Sequence, residues 1–276
     1  MAFNAACQLL TAIDDGTEAA ARVLDPDYAV QQKFDGKRIL LHIERDSVTA
    51  HNRDGLVCGI SKEILTEAKR FSALAPLMFD AEWIREIKSL YIFDLLELEG
   101  TNLRPQKFID RIEHLTRTFK GGATSVIHQA RTEVEEDGKV ELVSQIWELN
   151  LEGITLKRLD APYVLTRAKN QYKHKRTHDA SFLVIRRNEK ASVDLALYDD
   201  NERLIEVGSV KIRNRTFNHI KEGMIVDVRY MYAYPSHQIY QPRMLKIRGG
   251  GGDDDLQPKS CLLSQLRYKA ANPIAV

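Results

Sequence analysis

The stretch YAVQQKFDGKRILLHIE, residues 28–44, places two strand-like runs on either side of a glycine turn. YAVQQ and ILLHIE are rich in residues that favour strands, and Asp35-Gly36 is a typical turn pair. The pattern predicts a β-hairpin with Lys33 at the mouth of its turn. A turn needs the glycine, but it does not need a lysine, a carboxylate and an arginine together. Lys33 is therefore either a solvated turn residue or a nucleophile.

The composition is that of a globular protein of mixed charge. Of 276 residues, 43% are hydrophobic and 29% are charged, and the net charge of +1 neither favours nor excludes a polyanionic partner. The charge is unevenly distributed, because residues 151–250 hold 19 Lys and Arg against 11 Asp and Glu, and the rest of the chain holds 21 against 28. This basic region could face phosphates, or it could be a solvated surface.

Cysteine content and the N-terminus bear on the compartment. Cys7, Cys58 and Cys261 are far apart and form no CxxC pair, so neither a disulfide framework nor a zinc site is expected. The start, MAFNAACQLL, has no basic region, and no apolar run approaches the ~18 residues of a membrane span. We expect a cytoplasmic monomer without a membrane partner.

The first part of the chain mixes strands with helices in an α+β pattern. ACQLLTAI and TEAAARVL predict one or two short helices within the first ~25 residues. Further helices are predicted in SKEILTEAKRF, with Ser61 as N-cap, in PQKFIDRIEHLTRTF and in VELVSQIWELN. In the second of these Phe108, Ile112, Leu115 and Phe119 line one side, and Gly121-Gly122 ends the helix. Strands are predicted at Tyr28–Lys33, Arg38–Glu44, Ser47–Ala50, Met78–Ile84, Leu90–Glu97 and Gly153–Lys157.

Helices almost vanish after about residue 178. Five short runs, SFLVIRR, VDLALYD, LIEVGSVKI, MIVDVRYMYAY and RMLKIR, predict a small closed barrel such as an OB-fold. We therefore expect a first domain of antiparallel sheets and helices over residues 1–178, an all-β domain over 179–250, and a hinge near 177–180. In the remainder, 251–276, GGGGDDD predicts a flexible break that begins at 249, and KSCLLSQLRYKAA predicts a short helix.

An ordered series of motifs resembles the covalent nucleotidyltransferases, which include DNA ligases, RNA ligases and mRNA capping enzymes. Residues Lys33 to Arg38, KFDGKR, resemble the KxDGxR signature, which alone would often arise by chance. The other elements follow in the family's order: Arg53 in AHNRDG, Glu82 in FDAEWI, Phe93 in YIFDLL, Glu152 in EGITLK, and Lys173 and Lys175 in KHK. The resemblance covers about residues 25–250, and the series is far more specific than any one motif.

The chemistry explains why a lysine is wanted among cations. A lysine amine can attack the α-phosphorus of a nucleotide and hold the nucleotidyl group as a phosphoramidate. An ordinary lysine, with a pKa near ~10.4, is almost wholly protonated at pH 7. Neighbouring cations favour the neutral amine and also neutralise charge on the phosphates. Lys173, Lys175 and a divalent metal are the candidates.

The resemblance implies a role for each residue of the series. Lys33 would be adenylated by ATP, and Asp35 would act later, near an attacking 3′-hydroxyl. Glu152 would help to hold Mg²⁺, with Glu82 as a second ligand. The nucleotide would be bound by Gln31 near the adenine, Phe93 on the base, Glu82 on the ribose, Arg38 and Arg53 toward the nucleotide and the nick phosphate, Lys173 and Lys175 on the phosphates, and Arg248 over the triphosphate.

These residues also have structural alternatives. Phe93 could be a core residue, Glu82 and Glu152 could be surface carboxylates, and Lys173 with Lys175 could belong to a solvated basic face. Gln31 stands where many larger relatives have a glutamate, and Arg248 is followed by two glycines instead of the family's Asp or Lys.

The resemblance favours one activity within the superfamily. Arg38 and its glycine turn resemble DNA ligases and capping enzymes more than most RNA ligases. The segments NLRPQKFIDRIEHL and QPRMLKIR resemble the small ATP-dependent DNA ligases of phages and bacteria, which seal nicks in duplex DNA with ATP and Mg²⁺. An NAD-dependent ligase is disfavoured, because the chain lacks room and cysteines for its additional domains. Two alternatives stay open: a GTP-using capping enzyme or RNA ligase of the same superfamily, and a nucleic-acid-binding module that has lost its activity.

Overall fold

The computed structural model describes residues 7–120, 125–212, 218–248 and 257–270. The chain divides into two compact units between Lys175 and Arg176, close to the expected boundary at 178/179. None of the described helices is long and apolar enough to cross a membrane.

The first unit combines two β-sheets with four α-helices among its described residues. Its strands are β1 (Leu9–Ile13), β2 (Tyr28–Gln32), β3 (Lys37–Ile43), β4 (Val48–His51), β5 (Leu77–Ile84), β6 (Ser89–Leu98), β7 (Thr101–Asn102), β8 (Ile127–Gln129), β9 (Thr132–Glu133), β10 (Gly153–Arg158) and β11 (Arg167–Lys175). Its helices are α1 (Gly16–Leu24), α2 (Lys62–Ala68), α3 (Phe108–Phe119) and α4 (Glu136–Glu148), and a 3₁₀ helix spans Lys69–Leu74. The first sheet has the order β1-β11-β10-β2-β9, and the second has the order β4-β3-β5-β6-β7, with β8 beside β6.

The hairpin predicted at residues 28–44 is wrong. Strand β2 pairs with β10 in the first sheet, whereas β3 pairs with β4 and β5 in the second. The segment 33–36 is therefore a crossover between two sheets. Gly36 is needed for close approach: a Cβ at this position would lie 2.5 Å from the carbonyl oxygen of Trp83 in β5. The crossover places Lys33 at the junction of the sheets.

The N-terminal prediction is half correct. TEAAARVL is helical within α1, but ACQLLTAI is not, because Leu9–Ile13 pair in parallel with β11. Tertiary pairing overrides the local helical tendency here. The prediction for α2 is confirmed, and Ser61 caps this helix by accepting a hydrogen bond from the Ile64 amide at 3.3 Å.

Helix α3 has the predicted apolar face and one unpredicted charge on it. Phe108, Ile112 and Leu115 are buried as expected, and Gly121-Gly122 lie outside the described residues. The same face buries Arg111, whose guanidinium donates to both carboxylate oxygens of buried Asp94 on β6, at 2.8 and 2.9 Å. Apolar spacing cannot predict this pair, because it identifies a buried face but not a charged residue on it.

The second unit is a single antiparallel sheet within the described residues. Its strands are β12 (His178–Asn188), β13 (Ser192–Tyr198), β14 (Leu204–Lys211), β15 (Ile225–Tyr230) and β16 (Arg243–Ile247), in the order β14-β13-β12-β15-β16. All five predicted strands are present. Strand β12 pairs with both β13 and β15, an order that supports the predicted OB-fold, whose closure stays a prediction. Of the expected hinge 177–180, only Thr177 lies outside β12.

The helix predicted in the tail is wrong. Residues 257–270, which we call the C-terminal strap, contain two 3₁₀ turns, Pro258–Ser260 and Leu263–Gln265. Cys261 and Leu266 are buried in the core of the second unit. The apolar residues that suggested a helix therefore anchor an irregular segment. The break predicted at GGGGDDD, 249–255, lies outside the described residues.

Candidate active site

A cavity of about 480 Å³ opens in the first unit beside the crossover 33–36. Seven predicted site residues line it: Gln31, Lys33, Arg38, Arg53, Glu82, Phe93 and Lys173. Residues that the sequence analysis did not assign also line it, among them Leu9, Leu10, Thr155, Lys157 and Arg167. Its volume is that of a small-molecule site.

Lys33 is held by a buried carboxylate. Its Nζ donates to Oε2 of Glu152 at 2.7 Å, and Nζ of Lys175 lies 3.0 Å from Oε1 of the same group. Only 5% of the Glu152 side chain is exposed, so its two oxygens are shared between two ammonium groups. The structure thus brings together three predicted residues that are far apart in the sequence.

Strand register explains this meeting. In the first sheet β10 lies between β2 and β11, with Ile154 opposite Gln32 and Gly153 opposite Lys175. The end of β2 therefore lies near the start of β10 and the end of β11. Gly153 has φ +152°, and a Cβ there would collide with the carbonyl group of His174. The glycine of EGITLK is required because β11 passes so close.

The lysines of KHK add positive charge to this site. Lys173 and Lys175 are two residues apart on β11, so they share one face of the sheet. Lys173 lines the cavity, and burial lowers its pKa, with the charges of Lys33 and Lys175 contributing. Three ammonium groups thus lie close to one another, an arrangement that suits a polyanionic ligand.

An aromatic ring and an oriented amide form another part of the wall. The ring of Phe93 is flanked by the Arg38 guanidinium carbon at 5.3 Å and the Lys157 Nζ at 5.7 Å from its centroid. Nε2 of Gln31 donates to the Phe93 carbonyl at 3.1 Å and to Thr132 Oγ1 at 2.8 Å. A carbonyl only accepts, so this contact fixes the orientation of the amide.

Lys157 is a site residue that the sequence analysis missed. It is buried, and burial lowers its pKa to about 8, an effect that the charge of Asp94 opposes. It closes the EGITLK motif, so its position in the motif was the signal that could have identified it.

Arg38 faces the cavity, but its guanidinium is bound within the protein. It pairs with the buried carboxylate of Asp80 and donates to the Gln8 carbonyl at 2.7 Å and to the Tyr163 hydroxyl at 3.2 Å. These bonds use four of its five N–H groups. The geometry favours a positioning role for Arg38, and its predicted contact with a nucleotide stays a prediction.

Glu82 carries an unusual protonation equilibrium. It lies opposite Arg38 in the β3–β5 register, and burial raises its pKa to about 7, although Lys33 and Arg38 act to lower it. A carboxyl with this pKa is partly protonated at neutral pH. It can therefore donate as well as accept a hydrogen bond, as a partner of ribose hydroxyls would.

We expect the substitution Glu82→Gln to stabilise the protein above neutral pH. A raised pKa means that the contribution of Glu82 to stability is present below about 4.5 and is lost as the pH rises through about 7. The variant should therefore match the unmodified protein in melting temperature at pH 4 and exceed it by several degrees at pH 8. Equal melting curves at pH 8 would contradict the buried environment of this carboxyl.

Three predicted residues remain: Asp35, Arg53 and Arg248. Asp35 follows the crossover lysine but is not among the lining residues. Arg53 does line it, and it sits on an exposed turn that the Asn52 side chain supports through the Asp54 amide. Arg248 belongs to the second unit, where its Nε lies 2.8 Å from Asp227 Oδ2. Its predicted role over the triphosphate stays a prediction.

The residues present fit a magnesium ion that is bound chiefly by phosphates. Among the described residues no group of three or more His, Cys, Asp or Glu side chains could hold a metal. Mg²⁺ at nucleotide sites commonly uses one or two carboxylates plus substrate phosphates and water. Glu152 and Glu82 could supply the carboxylates.

Comparisons with known proteins agree with this architecture. Residues 61–175 match the family model described as the ATP dependent DNA ligase domain. No curated protein matches the sequence.

Solved structures share the fold at low identity. The ligase domain of Mycobacterium tuberculosis LigD is 16% identical with a TM-score of 0.50, over 93% of this chain and 97% of that one. A Lig E DNA ligase is 14% identical with a TM-score of 0.64, over 89% and 100%. A mycobacterial DNA ligase D complexed with ATP and MES is 17% identical with a TM-score of 0.50, over 93% and 97%. The chain therefore contains a segment similar to the ATP-dependent DNA ligase domain and shares the fold of these ligase structures.

Proposed function

We propose that the chain seals nicks in duplex DNA through a covalent Lys33–AMP intermediate. The observation that carries the proposal is the placement of Lys33 on the cavity wall, paired at 2.7 Å with buried Glu152 beside Lys173 and Lys175. A turn lysine in solvent would not have such surroundings. The ATP bound in the similar mycobacterial ligase supports the choice of nucleotide.

In the first step Lys33 attacks ATP. Glu152 Oε2, which already accepts from Nζ, can take the proton that the ammonium must lose before the amine attacks. A bond forms between Nζ and the α-phosphorus, and the bond from that phosphorus to the bridging oxygen breaks, which releases pyrophosphate. Lys173 and Lys175 stabilise the charge on the phosphates, and Mg²⁺, when bound, neutralises more of it.

In the second step the AMP passes from Lys33 to the 5′-phosphate of a nick. In the third step the 3′-hydroxyl attacks that activated phosphate, the strand is joined, and AMP leaves. The base would lie against Phe93, and the Gln31 amide would lie at its edge. We propose that the enzyme acts as a monomer on nicked duplex DNA.

The test is the mass of the intact protein after incubation with ATP and Mg²⁺. We expect an added AMP on a single residue, which proteolysis should assign to Lys33, and we expect joining of a nicked duplex by the same preparation. Parallel incubation with GTP examines the capping-type alternative. An adduct that forms from GTP alone, or an adduct on another lysine, would refute the proposal.

A further inference from the structure

The second unit contains a polar cleft of about 360 Å³ that the proposed chemistry does not use. It is lined by Thr177, His178, Asp179, Arg229, Gln265 and Arg267. These residues come from the start of β12, the end of β15 and the C-terminal strap. The cleft therefore exists only because the strap lies against the sheet.

The strap holds its part of the cleft firmly in place. Cys261 and Leu266 are buried in the core of the second unit. The backbone amide of Arg267 donates to the Tyr230 hydroxyl at 3.1 Å, and its carbonyl accepts from the Ala233 amide at 2.7 Å. The Arg267 side chain itself is exposed. A fixed backbone with an exposed guanidinium suits contact with a ligand.

The charges in and beside the cleft do not balance. Asp179 faces Arg229 across the β12–β15 ladder and accepts two hydrogen bonds from it, at 2.7 and 2.8 Å. Arg267 forms no ion pair with a carboxylate of the described residues. Two arginines of the cleft thus accompany one carboxylate, and Arg229 already pairs with it.

The like charges are close enough to affect one another. Burial lowers the pKa of His178 to about 4, and the charges of Arg176 and Arg267 contribute. Burial also lowers the pKa of Arg176, again with a contribution from Arg267. His178 is therefore neutral at pH 7, and the cleft keeps a surplus of positive charge without its help. The exposed Arg267 guanidinium, which pairs with no carboxylate of the described residues, can therefore attract an anionic ligand to the cleft.

We propose that this cleft binds a backbone phosphate of the DNA duplex, with Arg267 of the C-terminal strap as its principal contact. The inference rests on the proposed function, because that function supplies the phosphodiester. A guanidinium can donate two parallel hydrogen bonds to phosphate oxygens, and such contacts position a duplex without selecting its sequence. The strap then serves as a built part of the DNA-binding surface.

The test compares Arg267→Ala with the unmodified full-length protein in binding a fluorescent nicked duplex over a range of salt concentrations. We expect about tenfold weaker binding at 0.1 M salt, and we expect the slope of log K against log salt to fall by about 1, the value for one lost phosphate contact. Protein–AMP formation from ATP should be unchanged, and melting curves should coincide, because the side chain is exposed.

Arg203→Ala is the matched control, since Arg203 is an exposed arginine of the same unit outside the cleft. It should bind as the unmodified protein does. Equal binding and equal salt slopes for Arg267→Ala and Arg203→Ala would overturn the inference. That outcome would leave the proposed function intact, provided that the unmodified protein still forms protein–AMP. A loss of binding that is equally large for Arg267→Ala and Arg203→Ala would also overturn the inference about the cleft.

Discussion

Lys33→Ala is expected to reduce protein–AMP formation to background, a loss of ~10³-fold or more, because no other amine would be placed to attack the α-phosphorus. The fold should survive, since the buried carboxylate of Glu152 keeps Lys175 as a partner at 3.0 Å. The measurements are the intact mass after incubation with ATP and Mg²⁺ and the joining of a nicked duplex. Melting curves should show that the variant is folded.

Lys169→Ala is the matched control for that loss. Lys169 is an exposed lysine on β11, the strand that carries KHK, and it does not line the cavity. Its replacement should leave the AMP adduct unchanged. If Lys33→Ala still seals a pre-adenylated nick, the first step alone has been lost. If it forms protein–AMP at the rate of Lys169→Ala, Lys33 is not the nucleophile and the proposed mechanism falls.

Arg38→Met is expected to destabilise the protein and to impair adenylation together. Removing the guanidinium leaves the fully buried Asp80 carboxylate without its cationic partner, which costs ~3–5 kcal/mol of unfolding free energy. In a unit of this size the melting temperature should fall by ~10 °C. The wall formed by β3, β5 and Phe93 should also loosen. Thermal denaturation and the KM for ATP measure the two effects.

The double variant Arg38→Met/Asp80→Leu separates these effects. Replacing both members of a buried ion pair by apolar groups is often close to neutral, so most of the melting temperature should return. Adenylation should stay impaired, with a raised KM for ATP, because the cavity has lost the group that orders its wall. Full recovery of both properties would show that Arg38 is purely structural.

Local patterns predicted the elements well where packing agrees with them. Ser61 caps α2, and the apolar face of α3 is the one that spacing indicated, because both depend on residues of a single helix. The strand runs after residue 178 are also confirmed. Predictions failed where a distant partner decides the structure. Leu9–Ile13 is a strand only because β11 lies beside it, and the strap is irregular because Cys261 and Leu266 are buried separately.

The candidate site shows the same division. Motif order alone placed Lys33, Glu152 and Lys175 in one group, since the chemistry requires these residue types. It could not show that the Glu152 carboxylate pairs with both lysines, nor that the Arg38 guanidinium forms an ion pair with Asp80.

The order of residues along the chain reveals which residue types are available for nucleotide chemistry and most of the strands and helices, because both depend on short-range patterns. Which strands are neighbours depends on pairing between distant segments and is seen only in the folded chain. The run around KFDGKR has the local character of a hairpin, yet its two strands belong to different sheets. Strand β2 pairs with β10, more than a hundred positions away, whereas β3 pairs with β4 and β5, and this choice of partners puts the lysine on the wall of a cavity.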